Sequence, residues 1–201
     1  MNVERLECEV KSRLSEKRFK HTLAVRDMAL RLGKIYLPNQ LSELEYAALL
    51  HDITKELSVE ENISLIGDLW QSLSYEEKIS PQIFHAYSAP ALIKRDFPKF
   101  ATENVLSAVF KHTVADEDMT VFDMIIFLSD FIEEGRIYEA SIATREYLFS
   151  NISCEERDNI RALINSCIME IDFTIEHIKK KGGNIVPKTL LARKSLVEKN
   201  R

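Results

Sequence analysis

Glycine and proline are scarce in this chain of 201 residues, which has only five of each. The tight turns that join strands commonly use these residues, and no alternating run of β-branched residues is present either. Apolar residues recur with helical spacing instead. The sequence therefore predicts an all-α fold, and its length suits one domain with a substantial hydrophobic core.

Cysteine is also rare, and the three cysteines are far apart: Cys8, Cys154 and Cys167. None of them belongs to a CxxC pair. This spacing argues against both a disulfide framework and a zinc–thiolate site.

Long apolar runs and an excess of basic charge are both missing. Because no stretch of about 18 apolar residues exists and the segment 1–10 carries acids rather than a targeting signal, we expect a cytoplasmic protein without a membrane partner. The net charge of −5 argues against general nucleic-acid binding. A metal site can nevertheless attract a small anionic substrate to an acidic protein.

Capping-box patterns support the helical interpretation. Five predicted helix starts have a hydroxyl residue that precedes an acid by three positions, at residues 42 and 45, 58 and 61, 74 and 77, 120 and 123, and 153 and 156. Periodicity predicts helices at 3–14, 17–36, 42–51, 59–67, 74–79, 83–96, 102–113, 120–133, 136–148, 153–181 and 189–199. We expect one domain over residues 1–183, with residues 184–201 forming a tail or helix that packs on it.

Four of the five histidines stand on or at the ends of apolar helices: His21, His51, His85 and His112. Asp52 directly follows the second of them, and Asp130 lies inside the apolar run 124–132. A buried carboxylate needs a cation or strong hydrogen bonds. Any one of these residues alone has an ordinary structural explanation, but the joint pattern indicates a metal site. The fifth histidine, His177, lies among charged residues and is expected to be solvated.

The order His21, His51-Asp52, Asp130 resembles the HD superfamily of metal-dependent phosphohydrolases, and the intervening His85 and His112 resemble its two-metal subset. Five segments are similar to the YqeK family of symmetrical bis(5′-nucleosyl)-tetraphosphatases: 18–25, 48–55, 110–113, 126–133 and 184–193. This resemblance covers nearly the whole chain. It implies an HD-domain helical bundle, and an enzyme that cuts diadenosine tetraphosphate or related dinucleoside polyphosphates into two ADP.

Three loops depart from the family pattern. The chain has Ala86 where the family usually has glycine, residues 114–118 where the family has a glycine-containing turn, and Glu134-Gly135 where the family has Pro-Asn. None of the six expected metal ligands is lost. The altered loops therefore bear on substrate preference more than on metal binding.

The resemblance also implies roles for the six donors. His21, His51, Asp52 and Asp130 would hold one divalent metal ion, and Asp52 would bridge to a second ion that His85 and His112 complete. Imidazole and carboxylate ligands suit iron, manganese or zinc. Family resemblance favours iron, and the sequence does not separate it from manganese.

Further residues are candidates for contacts around the metals. Lys55 resembles the lysine of an HDxxK motif and would bind phosphate or Asp52, and Arg136 matches a family arginine that would hold a terminal phosphate. Lys20 and Lys111 flank ligands, but we expect both to be solvated. Three aromatic residues offer surfaces for a nucleobase, although a core role is favoured for each: Trp70, Phe84 and Tyr87.

Two alternatives to the tetraphosphatase remain open at this point. One is a different HD-type activity, such as a nucleotidase or a cyclic-nucleotide phosphodiesterase. The other is a non-catalytic module that binds nucleotide or metal. The sequence also leaves open whether the chain forms a homodimer.

Overall fold

Helices make up the regular structure of residues 3–200, which are the residues that the computed structural model describes. No strand occurs in this range, and the all-α prediction is confirmed. The α-helices are α1 (Val3–Arg13), α2 (Glu16–Tyr36), α3 (Leu41–Leu50), α4 (Val59–Ile66), α5 (Leu69–Ser72), α6 (Tyr75–Lys78), α7 (Phe84–Asp96), α8 (Glu103–Lys111), α9 (Val121–Ile132), α10 (Glu139–Ser150), α11 (Glu156–Lys180) and α12 (Pro187–Lys199). Among the described residues, no helix is long and apolar enough to cross a membrane.

Three of the five predicted capping boxes form, at Ser58, Ser74 and Thr120. The other two predictions are wrong. Helix α3 begins one residue earlier, because a 3₁₀ turn at Pro38–Gln40 leads directly into Leu41. At α11 the Ser153 hydroxyl accepts from the Glu155 backbone amide instead. Helix α5 is too short for periodicity to reveal and was not predicted.

Helix α2 lies at the centre of the packing and contacts α3 and α9. Helix α8 joins α3, α7 and α9, while α11 packs against α9, α10 and α12. Gly33 is needed where α2 meets α3, because a Cβ there would lie 2.5 Å from Leu44 Cδ1. This packing brings five helices to one place. One turn each of α2 and α9 lies there beside the C-terminal ends of α3 and α8 and the N-terminal end of α7.

The C-terminal segment turns back onto the rest of the chain after α11. Gly182 makes the turn possible because its φ of +69° suits glycine. Helix α12 buries Ala192 and Leu196 in the main hydrophobic core. The Thr189 hydroxyl donates to the Val114 carbonyl, which ties α12 to the loop after α8.

Candidate metal centre

The six predicted donors come together in two adjoining groups. One group contains His21, His51 and Asp130, and the other contains Asp52, His85 and His112. Within each group, one candidate ligand atom from every residue lies within 4.8 Å of the others. Tertiary packing thus places the ligand atoms of residues up to 109 positions apart in sequence (His21 to Asp130) within one small volume.

Asp52 faces both groups with different oxygens. Its Oδ2 lies 3.4 Å from His51 Nε2 and 3.9 Å from His21 Nε2. Its Oδ1 lies 3.2 Å from His85 Nε2 and 3.7 Å from His112 Nε2. The carboxylate therefore spans the two groups, which is the arrangement required for bridging two ions.

Three histidines are oriented by hydrogen bonds from Nδ1. The rings of His51 and His112 each follow the last residue of a helix and donate to the carbonyl three residues earlier, at 2.7 Å and 2.6 Å. In His21, Nδ1 lies 3.2 Å from the Glu133 carboxylate. With the proton on Nδ1, each Nε2 presents a lone pair to the centre, which is the tautomer that a metal requires.

Orphaned polar atoms support the fit of a cation. His21 Nε2, His51 Nε2 and Asp52 Oδ1 are buried, and none makes a hydrogen bond of acceptable geometry to the residues that the structure describes. The two nitrogens His85 Nε2 and His112 Nε2 face each other at 3.1 Å. The three unpartnered atoms of His21, His51 and Asp52 converge without a donor of their own, which is costly unless a positive ion lies among them.

The electrostatics of the centre agree with this inference. Burial opposes ionisation of Asp52, but His51, His112 and His85 outweigh it and hold the pKa of Asp52 well below its usual range. Burial also lowers the pKa of His51, yet the charges of Asp52 and Asp130 reverse the effect and raise it. The surroundings of Asp52 and His51 therefore favour added positive charge, whereas burial, with His112 and Lys55 adding to it, holds the pKa of His85 well below its usual range and keeps this ring neutral.

An arginine contacts each carboxylate, through the same oxygen that faces His21. Arg18 Nη1 lies 2.7 Å from Asp52 Oδ2, and Arg136 Nη2 lies 2.7 Å from Asp130 Oδ1. Arg136 was predicted to hold a phosphate, and it also lines the cleft that opens beside Asp130. Lys55 Nζ lies 3.1 Å from His85 Nε2.

Arg18 and Glu133 received no role from the sequence. Arg18 lies three residues before His21 on α2. Glu133 lies three residues after Asp130, at the end of α9. Residues three apart on a helix are neighbours, so this spacing is a signal that points to them. Glu133 is only 4% exposed, and it also accepts from the Gly135 amide.

The remaining sequence candidates lie outside the centre. Lys20 is solvated as predicted, but the prediction for Lys111 is wrong. Lys111 is buried, because Asp118 and Asp123 pair with it at 2.8 Å and 3.1 Å. The aromatic residues Trp70, Phe84 and Tyr87 pack together in a small second core, as favoured. His177 is exposed.

One predicted loop departure has a structural consequence. Ala115, in the segment where the family has a glycine-containing turn, adopts a φ of +63°. Left-handed backbone costs a residue with a Cβ about 1–2 kcal/mol. The turn after His112 is thus kept without the glycine, at some cost in strain.

Residues 18–135, which include both His/Asp groups, match the family model "HD domain". The chain belongs to the HD domain family.

Relatives over most of the chain narrow this assignment. The chain is 32% identical to the Staphylococcus aureus "Bis(5'-nucleosyl)-tetraphosphatase, symmetrical", over 68% of this chain and 69% of the relative. It is 30% identical to the protein of that name from Halalkalibacterium halodurans, over 94% and 93% of the two chains. These names confirm the prediction that the chain is an enzyme, and they remove the non-catalytic alternative.

A solved structure shares the whole fold. A "predicted HD superfamily hydrolase involved in NAD metabolism" from Clostridium acetobutylicum aligns with a TM-score of 0.84 and 27% identity, covering 99% of this chain and 98% of that chain. The predicted HD-domain bundle is therefore confirmed.

Proposed function

We propose that the chain hydrolyses diadenosine tetraphosphate and related dinucleoside polyphosphates symmetrically, giving two ADP from the former, at a centre for two divalent metal ions. The observation that carries the proposal is the position of Asp52. Its two oxygens face two separate groups of donors, at 3.4 Å from His51 Nε2 on one side and 3.2 Å from His85 Nε2 on the other.

The proposal divides the six donors between two ions. His21, His51, Asp52 and Asp130 would hold the first, while Asp52, His85 and His112 would hold the second. When bound, a divalent pair supplies a water of lowered pKa and stabilises charge on phosphoryl oxygens. Iron is the first choice because the family resemblance implies it, although nitrogen and oxygen ligands without thiolate suit manganese as well.

The protein's own residues orient this centre and the substrate. Glu133 and the carbonyls of Ala48 and Val109 hold three imidazoles with Nε2 inward. Arg136 contacts Asp130 and lines the neighbouring cleft, where its guanidinium is in place to bind a phosphate. Lys55 lies beside His85 and adds positive charge next to the donors of the second ion.

Product analysis tests the reaction. The enzyme, loaded with iron or manganese, is incubated with diadenosine tetraphosphate, and the products are separated by anion-exchange chromatography. We expect ADP as the only nucleotide product and no turnover after chelation. ATP and AMP in equal amounts would contradict the symmetrical cut.

The same preparation tests the alternative HD activities. Nucleoside monophosphates and cyclic nucleotides serve as substrates for a nucleotidase and a phosphodiesterase, respectively. Faster turnover of either class than of the dinucleotide would replace the proposal.

A further inference from the structure

A cleft of about 860 Å³ opens between α10 and α11 and reaches the metal centre. Asp130 and Arg136 form its inner end, so a molecule in the cleft contacts residues of the centre directly. Ligand pockets for small molecules typically measure about 300–1,000 Å³. The cleft is thus of the size and in the position to hold part of the substrate.

Aromatic and basic side chains line the cleft beyond its inner end. The rings of Phe131, Tyr138 and Phe173 line it, together with Lys180 at the end of α11 and Lys181 directly after it. Tyr138 is 67% exposed, so its ring is accessible to a ligand. Rings of this kind can stack on a base, because every base has a π-face.

The wall of the cleft contains polar atoms without partners. Glu170 is 93% buried (7% exposed), and its Oε2 has no hydrogen-bond partner among the described residues. The Ser141 hydroxyl, also in the lining, is buried and equally unpartnered within residues 3–200. A buried carboxyl that the fold does not satisfy is costly, so its presence in a cleft points to a ligand that completes it.

We propose that this cleft binds the nucleobase of one half of the substrate, with the Glu170 carboxyl hydrogen-bonding to the polar edge of the base. This inference rests on the proposed function, because it takes the phosphates to lie at the metal centre. It explains why one cleft contains aromatic rings and an unpartnered carboxyl, which suit a base, and also Arg136, which suits a phosphate.

The state of the carboxyl suits this role. Burial, with the charge of Asp130 adding to it, raises the pKa of Glu170 well above its usual range. A protonated acid donates one hydrogen bond and accepts another. The ring-nitrogen and amino edge of adenine offers the matching acceptor and donor.

Binding measurements separate base recognition from phosphate recognition. Metal-loaded enzyme is titrated calorimetrically with ADP and with inorganic pyrophosphate, which lacks a base. We expect Glu170→Leu to weaken ADP binding at least about tenfold, the equivalent of one lost hydrogen bond in a desolvated site, and to leave pyrophosphate binding unchanged. Glu146→Leu is the matched control, since Glu146 is exposed on α10 and does not line the cleft.

Thermal unfolding distinguishes this role from a structural one. Because Glu170 is unsatisfied, its replacement by leucine is expected to keep or raise the melting temperature, as at other functional sites. If Glu170→Leu does not fold, Phe173→Ala carries the same comparison of ADP with pyrophosphate.

Three results would overturn the inference: wild-type enzyme that binds no ADP, unchanged ADP affinity in the folded variant, or an equal loss of pyrophosphate affinity. The product assay on wild-type enzyme is independent of all three. Symmetrical hydrolysis with an unaffected Glu170→Leu variant would leave the proposed function intact and reject only the base site.

Discussion

Removing the Glu133 carboxylate should weaken metal binding without touching a ligand. Glu133 is buried, and its Oε1 lies 3.2 Å from His21 Nδ1. In Glu133→Ala the His21 ring loses the acceptor that fixes its tautomer and orientation. His21 Nε2, which lies 2.9 Å from Asp130 Oδ1, would no longer be held toward the first ion.

The size of the effect follows from the contact. Removing the hydrogen-bond partner of a metal-bound histidine typically costs about 10–100-fold in metal affinity, or about 1.4–2.7 kcal/mol. Only the site of His21, His51 and Asp130 should be affected. Within residues 3–200, no hydrogen bond or ion pair joins Glu133 to Asp52, His85 or His112.

Competition with a chelator under anaerobic conditions measures both affinities. Glu134→Ala is the matched control, because the neighbouring glutamate is 68% exposed and pairs with Arg31 at the surface. Glu133→Gln should recover much of the loss, since its amide oxygen can also accept from His21. A Glu133→Ala variant that binds the first ion within about threefold of wild type, or a Glu134→Ala variant that loses as much, would refute the positioning role.

Three other predictions address the bridge, the buried acid and the last helix. Elemental analysis should find two transition-metal ions per chain in the wild-type protein, about one in His112→Ala and none in Asp52→Ala. Two ions in Asp52→Ala would show that Asp52 is not a bridge. Burial raises the pKa of Glu170 in the native state. The carboxyl therefore contributes fully to the free energy of unfolding below its unfolded pKa of about 4.3, and this contribution is lost as the pH rises through its folded pKa. Glu170→Gln should therefore resist urea better than wild type at pH 7, by a margin that shrinks toward pH 4; a margin independent of pH would contradict this. We expect residues 184–201 to belong structurally to the same domain. Leu196 is 1% exposed, so Leu196→Asp should lower the free energy of unfolding by at least about 2 kcal/mol in a single urea transition. An unchanged urea midpoint would argue for a separate tail.

Local sequence patterns were sufficient for the helical architecture. Most helix bounds were predicted within a few residues, because caps and apolar spacing act over three or four positions. The two capping boxes that do not form, at Ser42 and Ser153, were wrongly predicted for a related physical reason. Each hydroxyl met the local spacing rule, but a neighbouring turn or a competing hydrogen bond determined where the helix begins.

The sequence by itself also supplied the six donors, since few residue types combine burial with metal affinity and the order of His and Asp resembles one family. Only the tertiary structure decided how those donors are divided, which oxygen of Asp52 faces which histidine, and that Arg18 and Glu133 hold the carboxylate and the imidazole. The cleft with Glu170 was likewise invisible in the sequence. These features depend on the packing of helices far apart in the chain, and no spacing rule within a single helix encodes the distance between them.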